Sequence, residues 1–349
     1  MYFENKDNKS LISFLENTNI TFEKNIELKK KSWLKAGGMF EIYIQPSTYN
    51  DIIKLVSFLK EKNYNYYVVG NLSNIIFRDG LIKTPIINIK KYDKITVNEL
   101  ENSIKVDACC GISIYKFANY ISYKKNITGL EGLIGIPGLL GGAIVMNASS
   151  YDSYISEYLK EINFLNKDCE EVKIRKEDAQ LEWRSSFFQN KEKLIILNAV
   201  FEFPKKNLLE NNIINRNIEK VKKHRSIFQE KKLPNLGSLF ATKNLYYDIS
   251  KSNLTLKILY FLHKFLTKII IRFSNENLLI KFRKFFVKIY SYFLDIGKDS
   301  PFKLSDRTIN CLVNNNSENA NEAIKIIKNY QKKINYKQKL ENIIVDDII

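Results

Sequence analysis

Residues 129–147 read GLEGLIGIPGLLGGAIVMN, and this stretch decides the fold. It places six glycines and Pro137 in an otherwise apolar segment, in a chain with only 13 Gly and 6 Pro among 349 residues. Without a Cβ, glycine lets backbone approach a neighbour or a ligand phosphate closely, and it bares N–H groups that suit an anion. The apolar residues in between argue for burial. Spacing alone leaves two readings: a tight turn between core strands, or a dry cradle for a nucleotide's phosphates.

Working outward, short strands and helices alternate. Residues 1–24 read as a helical preamble, with Leu11, Phe14 and Leu15 at helical spacing. Residues 40–45, 66–70, 75–77 and 86–89 alternate or run apolar as strands do, and 49–62 has helical periodicity. Strands then dominate from 104 to 203, interrupted by a helix expected over 113–124. Further helices are expected over 211–223 and 321–334. Two long aromatic, basic, amphipathic helices are expected over 254–271 and 278–294, joined by residues 274–277. Residues 251–294 hold nine Lys/Arg against Glu276 alone, a net +8. Such a hairpin either packs on the body with its lysines solvated, or rests on an anionic membrane or a protein partner.

The length fits two or three domains with sizeable cores, and 45% hydrophobic residues without a low-complexity tract fit a globular chain. The start, MYFENKD, has neither a basic n-region nor an apolar h-region, so no secretory leader is expected. No stretch of about 18 apolar residues is free of charge, so no spanning helix is expected. Cys109, Cys110, Cys169 and Cys311 form no CxxC pair and there are two histidines; no metal site is expected, and a reduced cytoplasm fits. The formal charge of +17 suggests nucleic acid, yet Lys, Asn and Ile abound along the whole chain. A basic surface equally suits anionic small ligands, so nucleic acid is not expected as a partner.

The motifs resemble those of the UDP-N-acetylenolpyruvoylglucosamine reductase (UDP-N-acetylmuramate dehydrogenase) family. Residues 129–148 match its pattern G-L-E-x-x-x-G-I-P-G-x-x-G-G-A-x-x-M-N-A at every named position. Residues 32–38 (SWLKAGG) and 68–80 (VVGNLSNIIFRDG) resemble its two upstream glycine motifs. Downstream, 183–188 (WRSSFF) resembles Y-R-x-S-x-F with Trp183 for Tyr, and 234–240 (PNLGSLF) matches P-x-x-G-S-x-F. These five motifs stand in the family's order, and the match resumes weakly over 310–314. The resemblance implies an α+β architecture: an FAD-binding fold of the vanillyl-alcohol-oxidase/PCMH type, with two α+β subdomains holding FAD. A C-terminal α+β substrate domain, here with an unusual basic helical hairpin, would complete it. The domains implied are 1–95, 96–207 and 208–349, the last with a helical insertion at 252–294. A cytoplasmic monomer is expected.

By the same resemblance, FAD and NADPH are the cofactors and a UDP-sugar the substrate: NADPH reduces FAD, and hydride passes to the enolpyruvyl group. Gly70, Asn71, Ser73, Asn74, Gly135, Ile136, Pro137, Gly138, Gly141, Gly142 and Asn147 match the cofactor-binding positions. Arg184 matches the cation that meets the substrate carboxylate, and Ser238 the proton donor. Arg225, Lys231, Lys232 and Asn235 are the candidates for holding the UDP moiety. Three departures stand out. Leu72 replaces a phosphate-loop glycine, and 241–305 leave the family pattern. The family's C-terminal L-x-x-E-V aligns Ile343 with its glutamate, which a four-residue slip would replace by Asp347. These departures keep two further readings open: a diverged member acting on another nucleotide sugar, and an inactive FAD- or nucleotide-binding scaffold.

Overall fold

The computed structural model describes residues 7–189, 193–272, 276–334 and 338–345. Helix α1 (Lys9–Glu16) buries Leu11 and Leu15, and strand β1 (Thr21–Glu27) follows, so the helical preamble stops short of residue 24. A single turn, α2 (Leu28–Lys31), leads to β2 (Met39–Gln45). Helix α3 (Tyr49–Glu61) starts on a capping box, in which Thr48 Oγ1 accepts from Asp51 N–H and the Asp51 carboxylate accepts from Thr48 N–H. Its stripe of Ile52, Leu55, Val56 and Leu59 faces the core. Then come β3 (Tyr67–Val69), β4 (Ile75–Phe77), β5 (Leu81–Ile82) and β6 (Ile86–Asn88). The first sheet runs β1-β2-β6-β3, with β1 antiparallel to β2 and the β2–β6, β6–β3 and β2–β5 pairs parallel. Residues 70–74 therefore form the loop leaving the end of β3.

The central part holds β7 (Ile95–Glu99), β8 (Ser103–Cys109), α4 (Ile114–Asn119) and α5 (Leu140–Val145). The expected 113–124 helix is α-helical only to Asn119 and widens to a π-helical turn over Tyr120–Lys124. After the two-residue strands β9 (Ser149–Ser150) and β10 (Ser153–Tyr154) come β11 (Leu159–Leu165), β12 (Glu171–Arg175) and β13 (Ile195–Pro204). They complete an antiparallel sheet of order β12-β11-β13-β8-β7. One apolar core joins this sheet to α3, through residues such as Leu55, Leu59, Val106, Phe117 and Phe201.

Helix α6 (Asn211–Phe228) runs five residues beyond the expected end. It is followed by α7 (Leu245–Ile249), the hairpin helices α8 (Leu254–Arg272) and α9 (Glu276–Leu294), strands β14 (Phe302–Ser305) and β15 (Thr308–Asn314), helix α10 (Ala320–Lys333) and β16 (Ile343–Val345). A second core gathers Phe240, Tyr290, Phe302 and Tyr330. The last strand returns to the first half of the chain, where β16 pairs in parallel with β4. Asp79 ties the same halves together, because its two carboxylate oxygens accept from Ala320 and Asn321 N–H, both at 2.9 Å, at the start of α10.

The hairpin is held by a buried aromatic cluster. His263 on α8 stacks on Phe286 of α9 at 4.6 Å between ring centroids and meets Tyr246 edge-on. Burial, reinforced by the charge of Arg283, depresses the His263 pKa from 6.5 to about 4. The folded state thus favours neutral imidazole, so this contribution is intact above pH 6.5 and is lost as pH falls toward 4. Acidification through that window should weaken the fold by up to about 3 kcal/mol. Urea midpoints measured across it should fall less in His263→Phe than in the wild type.

Candidate functional site

A cleft of about 2040 Å³ is walled by residues 68–74, 134–142, 149–151, 228–238 and 340–343, with Arg184 and Arg225 among its lining residues. Single-ligand clefts span roughly 300–1,000 Å³, so this one has room for two ligands side by side.

The glycines of 129–142 divide into two kinds. At Gly132 a Cβ would lie 2.1 Å from Ser150 O, and at Gly129 it would lie 2.4 Å from Tyr158 Oη; these two permit packing. Gly138 and Gly142 are open: a Cβ on Gly142 would meet nothing within 4 Å, and one on Gly138 only Ser73 Oγ at 3.9 Å. Ser73 and the glycine run thus face each other across the cleft, with Asn71, Ile136, Pro137 and Gly135 also in its wall. The cradle is not made of free donors throughout, because Gly138 N–H donates to Ile136 O and Gly141 N–H to Cys110 O. Leu72 takes φ +51° yet points inward, 2% exposed within a small apolar cluster, so it does not crowd the cleft.

The side chains of two asparagines at expected cofactor-binding positions, Asn74 and Asn147, are engaged within the protein. Asn74 Nδ2 donates to Glu341 O at 2.8 Å and its Oδ1 accepts from Asn342 Nδ2 at 2.7 Å, so its amide clasps the C-terminal segment. Ile343 N–H donates to Asn74 O, extending the clasp into β16. Asn147 lies behind the wall, its Nδ2 donating to Glu182 O and so fixing the loop that carries Arg184. What these motifs present to the cleft is therefore mainly backbone and loop surface.

Arg184 sits at φ +53°, with Nη2 donating to Ser149 O at 3.1 Å. Its Nε lies 3.0 Å from Glu341 Oε1, an ion pair in which both side chains are largely buried. Burial raises the Glu341 pKa above 4.5 and the guanidinium opposes that shift. The family alignment points to Asp347, which lies outside the described residues, and the carboxylate that meets Arg184 is Glu341. The signal available was period two: in an extended segment, Glu341 and Ile343 share a face. Ile343 is 44% exposed and lines the cleft.

Ser238 is exposed to the cleft after Gly237, whose φ is +71°. Its segment is pinned on both sides, by Leu239 N–H to Asn310 O, Phe240 N–H to Asn310 Oδ1, and Glu341 N–H to Leu239 O. Ser238, Glu341 and Arg184 thereby reach one cleft from three separate parts of the chain. Asn235 closes its own loop, accepting from Gly237 N–H and donating to Leu233 O. Arg225 stands in the cleft wall, but its terminal nitrogens are engaged with Gly132 O, Ser150 Oγ and Gln229 Oε1. It braces α6 against the glycine run, so it is no free cation for a phosphate. Lys231 and Lys232 are exposed at the rim, their backbone N–H groups gathered on Glu230 Oε1.

The FAD binding domain family matches residues 40–175. A UDP-N-acetylenolpyruvoylglucosamine reductase of Clostridium novyi is 30% identical over 240 residues, 69% of this chain and 75% of that protein. That of Aquifex aeolicus is 30% identical over 219 residues, 63% of this chain and 71% of its own length. The chain belongs to the UDP-N-acetylenolpyruvoylglucosamine reductase family. The crystal structure of such a reductase from Thermus caldophilus superposes with a TM-score of 0.64 at 16% identity, covering 94% of this chain and 99% of that one. The fold is thus the reductase family's, and the chain is an FAD-dependent oxidoreductase. Its residues fit the cofactor: the open faces of Gly138 and Gly142 are the spaces a side chain would fill.

Gly142→Leu starts a side chain where a Cβ meets nothing within 4 Å, and helical glycine costs about 1 kcal/mol relative to alanine. The variant should purify with at least about tenfold less flavin, while its apoprotein is as stable as the wild type or up to about 1 kcal/mol more so. Gly132→Ala, a packing glycine, should instead lose about 1–3 kcal/mol of stability. Absorbance near the flavin bands and urea denaturation read the two apart; full flavin content in Gly142→Leu would place the cofactor elsewhere.

Proposed function

We propose that the protein reduces the enolpyruvyl group of UDP-N-acetylglucosamine enolpyruvate to the lactyl ether of UDP-N-acetylmuramate, using NADPH, as a monomer in the cytoplasm. The proposed division is an N-terminal FAD-binding subdomain (1–95), a central one (96–207) and a substrate domain (208–349) that holds the hairpin. The carrying observation is the meeting of Arg184, Glu341 and the Ser238 loop in the cleft walled by the glycine run.

When bound, FAD supplies the hydride-transfer chemistry between NADPH and the double bond. Gly70, Asn71, Ser73, Gly135, Ile136, Pro137, Gly138 and Gly142 are the proposed cradle. The protein's own contribution is charge and a proton. Addition of hydride to one alkene carbon places negative charge on the other carbon and its carboxylate. Arg184 is suited to that charge: its fork matches a carboxylate and it cannot lose its proton. Held by Ser149 and Glu341, it is oriented before substrate arrives, which is what electrostatic stabilisation requires. Ser238 Oγ–H is the proposed donor of the proton that completes the saturated carbon. Glu341, whose burial favours the protonated acid, is the proposed acid behind that step, in place of the glutamate that Ile343 displaces. Lys231 and Lys232 are placed to meet the diphosphate at the rim.

Ile343 also favours a second reading, an inactive flavin-binding scaffold. Turnover separates the two. Purified protein should consume NADPH when given the enolpyruvyl UDP-sugar, and Ser238→Ala should lower kcat by about 10²–10⁴ while keeping its flavin. Glu341→Gln should lower kcat and flatten the alkaline limb of its pH profile, because a proton donor is lost as pH rises. Flavin reduction by NADPH with no reoxidation by the sugar would overturn the substrate assignment, and no flavin reduction at all would leave the scaffold.

A further inference from the structure

The hairpin α8–α9 buries one face and leaves the other uncovered. Leu256, Leu259 and His263 of α8, with Phe286, Val287 and Tyr290 of α9, pack inward. On the outer side of α8, Leu254, Ile258, Phe261, Leu262, Phe265 and Ile269 are all exposed, Phe265 by 61% and Leu254 by 71%. At 3.6 residues per turn these six fall within one sector of about 100°. The exposed lysines Lys257, Lys264 and Lys268 occupy the sector immediately beside it. Helix α9 repeats the arrangement, with Leu278, Phe285 and Tyr292 exposed seven apart and the exposed Lys281 and Lys288 alongside.

We infer that this face lies on the surface of an anionic lipid bilayer, in the plane of the headgroups. Three observations carry the choice of occupant. First, an apolar stripe flanked by lysines, on helices whose opposite face is already buried in protein, is the pattern of an interfacial amphipathic helix. Second, no described helix is long and apolar enough to cross a membrane, so the contact is peripheral. Third, charge complementarity favours phosphate headgroups: residues 251–294 carry a net +8, and the single acid, Glu276, is already paired with Lys223 at 2.6 Å. A second copy docking on the same patch would bring two net-positive faces together, which an anionic surface does not. The surface lies apart from the cleft, so the inference stands whether or not the proposed reaction is correct.

The test is co-sedimentation of the full chain, flavin included, with vesicles of phosphatidylglycerol mixed into phosphatidylcholine, and with phosphatidylcholine alone. Binding should be at least about tenfold stronger to the mixed vesicles and should weaken as salt is raised. The triple variant Lys257→Gln, Lys264→Gln, Lys268→Gln should bind on the order of a hundredfold more weakly. Phe261→Ser with Phe265→Ser should also abolish sedimentation. Both variants should retain wild-type flavin content and melting temperature, which separates loss of lipid contact from loss of fold. Failure of the wild type to sediment with the mixed vesicles would overturn the inference. So would binding that the substitutions leave unchanged, or light scattering that shows a lipid-indifferent dimer dissolved by Phe265→Ser.

Discussion

Everything in the cleft depends on the amide of Asn74. One side chain in the loop after β3 donates to Glu341 O and accepts from Asn342, across 267 and 268 residues of sequence. That clasp, continued by the β4–β16 pairing, is what brings the end of the chain against the phosphate-loop region. It also aims Glu341 at Arg184, which arrives from a third segment and is itself fixed through Asn147 and Ser149. Each polar group here is oriented by another one behind it. Such a chain of partners places a guanidinium and a carboxyl accurately in a partly dry cleft, where an unpartnered charge would be costly.

The same economy governs the glycines. In a chain with 13 of them, several sit where a Cβ would strike backbone: Gly38 and Gly111 would each bring it within 1.9 Å of a carbonyl oxygen. Those glycines close the walls, and Gly138 and Gly142 leave the space between them. A loop that looks uniform in sequence is therefore part mortar and part binding surface. Leu72 makes the converse point. A leucine at positive φ is strained, and here its side chain is buried against Phe77 and Val69, so packing offsets the backbone cost.

Much of the fold was legible along the chain. The helical stripe of α3, several strands of both sheets and the two hairpin helices follow from periodicity, which is a local property, while β1 falls where the pattern suggested helix. The glycine run stood out by its composition, whereas the Trp183-Arg184 and Gly237-Ser238 motifs were legible only through their register in the family's ordered motifs. Roles that depend on a distant partner were not. Asn74 and Asn147 carry the right chemistry for a cofactor, yet their amides are used by backbone from elsewhere, and Arg225 is bound up with Gly132 and Ser150. Nothing within a few residues of any of them announces that partner.

Glu341 marks the boundary between the two kinds of information. The sequence by itself determined the α+β class and the amphipathic hairpin, since each rests on spacing of 2, 3 or 4 residues, whereas the spacing of the glycine run left a core turn and a nucleotide cradle both open. Which carboxylate meets Arg184 was decided by tertiary structure alone. Glu341 lies two residues before β16, whose register is set by pairing with β4, while Asn74 holds the Glu341 carbonyl; a position fixed by remote partners cannot be read from the local pattern alone.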